Sequence, residues 1–547
     1  MSSQPGSGRS SQGSQRLAIG VTVLLGLAVV GFGVYWRSRP PSEDKPPTGQ
    51  HGEPQAVLSM QLFGNYCAPC HGEKGDGNGP AARFLYPKPR NFGESKFRLV
   101  STDNGIPSDD DLMRVITRGM PGSAMFSFGH LSEDDRRTLV AAVRELIPIA
   151  TEMQLTREAA ESGATIEAAE MPQLVADRTR PGQALEVPAH LTPTSAESVA
   201  RGQTLYRAAC VGCHGETGKG DGGQDQRDSN GMPNRPRDFT RGIFKGGREP
   251  ERLYVRIRFG MPGSPMPSSD KYTPEQLGDM VNYVLSLSDP SAQEKVEHVR
   301  NRLTAKRSPK PLNGDNSEDV WQTAEAIPIV VSPLWWRNYD EPDLRVAALH
   351  DEETLAIRFT WRDATRDDSP IRPQDFEDMA AVQLFKGKME PFLGMGAENS
   401  NVDLWLWRAS WNVPKSESSG PLDDYPFDMP IYQSLTKGKK NPDFQTARAA
   451  GNLHASPDPT HGATALAAKG FGSTTFRPKV SQSVRAVSSW RDGRWTVVLR
   501  RPLKVEDGLS LAPGDHCSIA FALWDGAARD RNGQKLVSIW HDLNLDP

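Results

Sequence analysis

The chain repeats itself. LFGNYCAPCHGEKGDGNG around Cys67 returns as LYRAACVGCHGETGKGDG around Cys210, an offset of 143 residues. PKPRNF, which contains Arg90, is answered by NRPRDF, which contains Arg237, and RGMPGSAMFSF by FGMPGSPMPSS, at offsets of 147 and 141. Three blocks recurring in one order at nearly constant spacing define a duplicated unit with small loop differences, so both copies must share one fold. The whole chain of 547 residues is too long for one core and predicts roughly three to four domains. Its 12 Trp and 19 Phe exclude disorder throughout, while 50 Gly and 44 Pro put much of it in loops and linkers. With 64 basic against 68 acidic side chains the charge is too balanced for a nucleic-acid binder.

Each copy contains C-x-x-C-H, as Cys67, Cys70, His71 and as Cys210, Cys213, His214. This spacing is the attachment signature of a c-type haem. Two thiols three residues apart on one helical turn reach the two vinyl groups of one haem edge, and the adjacent His turns its imidazole to the iron. Two C-x-x-C pairs also suit one tetrahedral zinc, but zinc requires neither the following His nor a downstream Met block. A thioredoxin-like redox pair needs a strand-then-helix context that is missing, and five cysteines in so long a chain make no disulfide framework.

A sixth iron ligand is needed, and a Met thioether is the usual one. The candidates are Met120 and Met125 in the first copy, Met261 and Met266 in the second. G-M-P-G-S-x-M resembles the distal loop of class I cytochromes c, whose ligand is the later Met. That resemblance selects Met125 and Met266, 54 and 52 residues after their histidines, and leaves Met120 and Met261 as packing residues at a Pro-Gly turn. It also implies close passage of backbone over the haem at Gly75, Gly77, Gly218 and Gly220. Arg90 and Arg237 suit haem propionates, or equally a nearby carboxylate.

Ser132 ahead of Glu133, Asp134 and Asp135 reads as a capping box, with Leu139, Val143, Leu146 and Ile147 behind it at helical spacing. Thr273, Pro274, Glu275 and Gln276 repeat the signal before Leu277, Val281, Val284 and Leu285. Each copy is therefore predicted to be a small all-α domain closed by a C-terminal helix. At about 95 residues such a domain has little core of its own, and a haem supplies much of its apolar filling.

Leu17 to Trp36 is twenty residues without a charge, enough for a helix to cross about 30 Å of hydrocarbon. It lacks a small-residue cleavage site, which predicts an uncleaved anchor. Arg9 and Arg16 before it and Arg37, Arg39 and Lys45 after it do not orient it. In c-type cytochromes, which the copies resemble, haem is attached outside the bacterial inner membrane. That resemblance implies a single-pass inner-membrane protein with its bulk in the periplasm. The expected organisation is a cytoplasmic tail 1–16, an anchor 17–36, a Pro-rich tether 37–55, c-type domains at 56–150 and 196–290, linkers at 151–195 and 291–315, and a last domain at 316–547. The first linker is expected to hold one helix and a strap.

From about Asn316 the period changes to two. Leu355, Ile357, Phe359 and Trp361 alternate with Ala356, Arg358 and Thr360, as do Trp495, Val497, Leu499 and Ile519, Phe521, Leu523 with their neighbours. Asp492-Gly493 and Asn532-Gly533 signal tight turns. The last domain is thus predicted to be all-β and sandwich-like, with 451–472 as an inserted loop and Cys517 as a buried small residue on a strand. FLGMGAENSNVDLWLW and ALWDGAARDRNGQKLVSIWHDLNL resemble the haem b domain of the ethylbenzene dehydrogenase γ-subunit family, whose relatives serve periplasmic molybdenum enzymes of the dimethyl sulfoxide reductase type. The resemblance implies one non-covalent haem b between Met395 and Lys535. Other nearby candidates are His350, His516 and His541.

No nucleophile, base and orienter set and no phosphate-binding loop is present. The expected function is electron relay by two haem c and one haem b, between a molybdenum or iron–sulfur partner and a soluble cytochrome or quinol-linked carrier. Two readings stand beside it: the dihaem subunit of a quinol-oxidising or terminal oxidase complex, and a small-molecule oxidase with an open haem site.

Overall fold

The computed structural model describes residues 53–94, 97–228, 231–288, 298–312, 318–337, 341–370, 372, 374–393, 395–397, 400–411 and 461–547. The expected tail, the anchor Leu17 to Trp36 and most of the tether lie outside these. Among the described residues no helix is long and apolar enough to cross a membrane. The single-pass inner-membrane placement is therefore corrected: no helix among the described residues is able to carry it.

The two copies fold alike. In the first, helices run over Glu53–Tyr66, Ala68–His71, Asp109–Arg118 and Glu133–Ser162; in the second, over Ala196–Ala209, Val211–His214, Pro250–Phe259 and Pro274–Ser286. Thr273 Oγ1 accepts from the Gln276 N–H while the Gln276 side chain accepts from the Thr273 N–H, the reciprocal cap expected there. At Ser132 only half of the expected box forms: its Oγ accepts from the Asp135 N–H at 3.1 Å, while the Asp135 carboxylate accepts from the Ser132 hydroxyl at 2.7 Å rather than from its N–H. Leu139, Val143, Leu146 and Ile147 are buried with Phe63, Leu112 and Ile116; Leu277, Val281 and Val284 with Tyr206, Leu253 and Tyr254. The first and closing helices of the second copy cross at Gly202, where a Cβ would strike the Asp279 carbonyl; the repeat places Ser59, also buried, at the same point of the first copy.

The closing helix of the first copy does not stop near residue 150. It runs 30 residues to Ser162, through Pro148, because Leu146, Ile147, Ala150, Thr151 and Leu155 stay buried along one face. Packing outweighs the hydrogen bond that proline forfeits. The segment beyond holds a further helix, Met171–Thr179, tied back by Arg178 to Glu158 at 2.8 Å. A strap then pairs with the first copy, the Leu185 N–H donating to Ser101 at 2.7 Å.

The last domain is one hydrogen-bonded sheet of fourteen strands. Thr354–Arg362, Arg494–Pro502 and His516–Trp524 occupy the alternating runs. Asp492 and Gly493 have φ of 50° and 69°, the left-handed pair a tight hairpin requires. Trp407 meets Trp495 at 5.0 Å and Trp361 at 5.9 Å, and Phe359 meets Phe521 at 5.5 Å, although these strands lie far apart in the sheet order. The sheet therefore folds over on itself into two facing layers, as a sandwich does. Two segments differ from expectation. Arg302–Arg307, read as linker, is a central strand parallel to both Arg345–His350 and His541–Leu545, with only Leu303 and Ala305 to betray it. Ala463–Ala468, read as inserted loop, pairs with Val402–Arg408; its alanines suit a tightly packed layer but carry almost no period-two signal.

Candidate functional site

Each copy folds around a cavity, and the two have the same volume, about 190 Å³. Cys67, Cys70, His71, Met120 and Met125 line the first; Cys210, Cys213, His214, Met261 and Met266 line the second. The Met120 N–H donates to the Met125 carbonyl at 2.8 Å and the Met261 N–H to that of Met266 at 3.1 Å, so both methionines of a pair flank one turn at the cavity wall. All five cysteines are free thiols. Burial pushes Cys67 and Cys70 up to about 12 and Cys210 up to about 11. Among the described residues no cysteines gather with other Cys or His as a metal site, against the zinc arrangement.

The PRNF and PRDF blocks serve the ligand histidines by a route the sequence did not reveal. His71 Nδ1 lies 2.9 Å from the Arg90 carbonyl, and its ring stacks on Phe92 at 4.9 Å. His214 stacks on Phe239 at 4.5 Å and is held toward the Arg237 backbone, although its Nδ1 lacks a hydrogen bond of normal geometry. Burial lowers the pKa of both imidazoles, His214 to about 4, which keeps them in the neutral form that can donate a lone pair. The side chains of Arg90 and Arg237 line the first and second cavity respectively. Arg90 also pairs with Glu94, the carboxylate alternative expected for it.

The copies face each other across a cationic seam. Arg90 Nη1 would lie 3.3 Å from a Cβ on Gly263 in the second distal loop, and Arg237 reaches Gly122 in the first. Arg98 donates to the Gly263 carbonyl at 3.2 Å and Arg118 to that of Phe244 at 3.2 Å. Lys245 lines both cavities; burial pushes its amine well down, and Arg237 and Arg98 add to the effect. Sequence reasoning passed over Lys245, yet the repeat offset of 147 aligns Phe244-Lys245 with Phe97-Arg98.

In the last domain Lys535 is half-buried, its amine 4.7 Å from the centre of the Trp524 ring, and burial lowers its pKa to about 8. This is not the environment of a solvated surface lysine. Met395 is half-buried, with φ of 80°, and packs on a cluster containing Phe385, Leu466 and Trp540. Leu393 and Leu406 border both that cluster and the one holding Trp524. His516 is exposed, whereas His350 and His541 are buried; Cys517 is buried as expected.

Each of the three domains is similar to a known family. Residues 318–536 match the family model described as Ethylbenzene dehydrogenase, 199–288 that of Cytochrome c, and 58–141 that of Cytochrome C oxidase, cbb3-type, subunit III. The chain thus carries two cytochrome c-type domains followed by an ethylbenzene dehydrogenase-type domain. Cytochrome c domains imply haem c, and they are compatible with a periplasmic location. A respiratory nitrate reductase heme subunit of Haloferax mediterranei is 27% identical over 240 residues, 42% of this chain and 68% of that protein. Dimethylsulfide dehydrogenase subunit gamma of Rhodovulum sulfidophilum is 27% identical over 213 residues, 38% of this chain and 63% of that protein. Chlorate reductase subunit gamma of Ideonella dechloratans is 28% identical over 206 residues, 37% of this chain and 64% of that protein. The chain spans about two thirds of the length of each of these relatives.

Proposed function

We propose that this chain is the electron-transfer subunit of an oxidoreductase complex, with one covalent haem c in each cavity and one haem b held by Met395 and Lys535. The observation that carries the reading is the convergence, twice over, of two thiols, a neutral His and a Met on one apolar cavity. Bound there, the haems supply one-electron chemistry. The protein's part is to anchor each haem edge through the thiols and to fix the imidazole through the Arg90 or Arg237 backbone. It also excludes water with Phe92 and Phe239 and places cations at the seam between cavities. Met125 and Met266 are the proposed distal ligands. Arg90 and Arg237 are proposed to meet propionates.

The gamma and heme subunits among the relatives support a partner that does the substrate chemistry, proposed here to be a molybdenum and iron–sulfur oxidoreductase. The far end would exchange electrons with a soluble cytochrome or a quinol-linked carrier. The match of residues 58–141 to a cbb3-type oxidase subunit favours the second reading, a subunit of a quinol-oxidising or terminal oxidase complex. It covers only the first c-type domain, whereas the last domain favours the first reading.

A reduced-minus-oxidised spectrum before and after acid–acetone extraction tests the cofactors. Two parts of non-extractable c-type haem to one of extractable haem b are expected; no extractable haem would remove the Met395 and Lys535 site. Purification from the native source with metal analysis tests the partner. Molybdenum and an iron–sulfur subunit are expected, and a copper or cytochrome b subunit would favour the oxidase reading.

A further inference from the structure

We infer that the haem b site and the first c-type cavity stand on either side of one shared wall, so that electrons pass between haem b and the second haem c by way of the first. This rests on the proposed haem assignments and goes beyond them by fixing their order.

Two side chains cross between the domains in opposite directions, each close in sequence to a proposed iron ligand. Phe126, the residue after Met125, lines the first cavity and is also buried to 4% exposure among Ala522, Trp524, Val537 and Ile539 of the last domain. Trp524 is the ring that carries Lys535. In return Phe392, three residues before Met395, lines the first cavity. Leu393 closes the gap, since it packs both on the Phe126 cluster and on the cluster that holds Met395.

The duplication provides an internal control. At the repeat offset of 141, Phe126 corresponds to Pro267, which is exposed. The first distal loop packs on the last domain through Phe126, while the second leaves Pro267 and Ser268 exposed. The two c-type cavities in turn share Pro87, Leu99 and Lys245 as common lining. The second cavity receives Trp336 from the last domain, two residues beyond Leu334, whose N–H bonds the Lys535 carbonyl at 3.0 Å. That contact meets the second cavity on the side of Pro236, Arg237 and Asp238 rather than at its distal loop, where Pro267 and Ser268 are exposed. The structure thus assigns a series order, with the second c-type site as the end open to an external one-electron partner. One electron lost at one site is gained at the next; no bond forms or breaks, and the direction follows the potentials.

The test uses the full protein with its haems, oxidised and then mixed rapidly with a soluble one-electron reductant while the c-type and b-type α-bands are followed. Met125→His replaces a thioether by an imidazole and lowers the potential of the first haem c. In that variant half of the c-type absorbance should appear at the wild-type rate while haem b reduction slows about tenfold or more. Trp336→Leu, at the wall of the second cavity, should slow haem b reduction only as far as it slows the c-type bands. An unchanged haem b rate in Met125→His, or its loss in Trp336→Leu without a matching slowing of the c-type bands, would overturn the series order. Haem counts and a potentiometric titration of each variant are taken first. Missing extractable haem in the wild type would mean that the haem b reading, rather than the order, has failed.

Discussion

His71 Nδ1 faces the main-chain oxygen of Arg90 at 2.9 Å, and Phe92, two residues along, stacks on the same imidazole. A carbonyl can only accept, so the proton is fixed on Nδ1 and the Nε2 lone pair is left for the iron. Because backbone makes this contact, Arg90→Ala should retain haem and the His71 orientation. Phe92→Ala removes a buried ring, at a cost of about 3–5 kcal/mol, and frees the imidazole. Thermal unfolding together with covalent haem content checks the pair. Equal haem loss in both variants would mean that the Arg90 side chain, not its carbonyl, governs the site.

Lys245 borders both cavities and lies near Arg98 and Arg237, so its charge acts on both haem c sites at once. Burial, Arg237 and Arg98 hold its pKa well down, so the cation is present only at pH below that lowered value. Lys245→Gln should therefore lower both c-type midpoint potentials at acid pH, where a lost cation stabilises the ferric state of each, and the difference from wild type should close as pH rises through the lowered pKa. Spectropotentiometry measures this directly. A drop at a single haem would assign Lys245 to that cavity alone.

The duplication, the cavities' chemistry and most of the last domain were legible because each rests on a short-range pattern. C-x-x-C-H states its own spacing, and Leu355, Ile357, Phe359 and Trp361 face one layer with no help from elsewhere. What stayed hidden depends on tertiary partners. Arg302–Arg307 becomes a strand because it fits between two others, and nothing local marks Ala463–Ala468. The first c-type domain is expected to end at residue 150, yet burial on both sides of Pro148 carries its closing helix onward. The motif drew attention to the Arg90 side chain, whereas the structure brings its carbonyl to His71, which no residue type at that position could reveal.

Lys535 sits over Trp524 in surroundings that already lower its pKa to about 8. An amine so poised needs little further help to deprotonate onto iron. Lys535→Met should lose most of the extractable haem b, or shift its α-band if the thioether substitutes as ligand. Both c-type sites should remain intact. Difference spectra with extraction report the two classes separately, and a variant with unaltered haem b would remove Lys535 from the ligand set.

The junction around Phe126 should be the first part of the protein to fail in acid. His298 lies edge-on to Phe126 at 5.5 Å with its Nε2 3.1 Å from Ser332 Oγ; burial first, then His130, lowers its pKa to about 4. His541 accepts the Asn301 N–H at Nδ1, and burial, His298 and Arg300 lower it to about 3. Both folded values lie below the unfolded value of about 6.5, so on acidification the unfolded chain takes up protons that the folded chain refuses. The stability these histidines contribute is complete above pH about 6.5 and is lost as pH falls toward 4 and then 3, with His298 alone worth about 3 kcal/mol. Asp378, raised to about 8 by burial and Asp363, works in the opposite sense, since its stability is lost as pH rises. The His298 contribution must therefore be read as a difference. Chemical unfolding of wild type and His298→Gln at pH 7 and pH 4.5 should show a shallower acid loss in the variant, and parallel losses would place the acid sensitivity elsewhere.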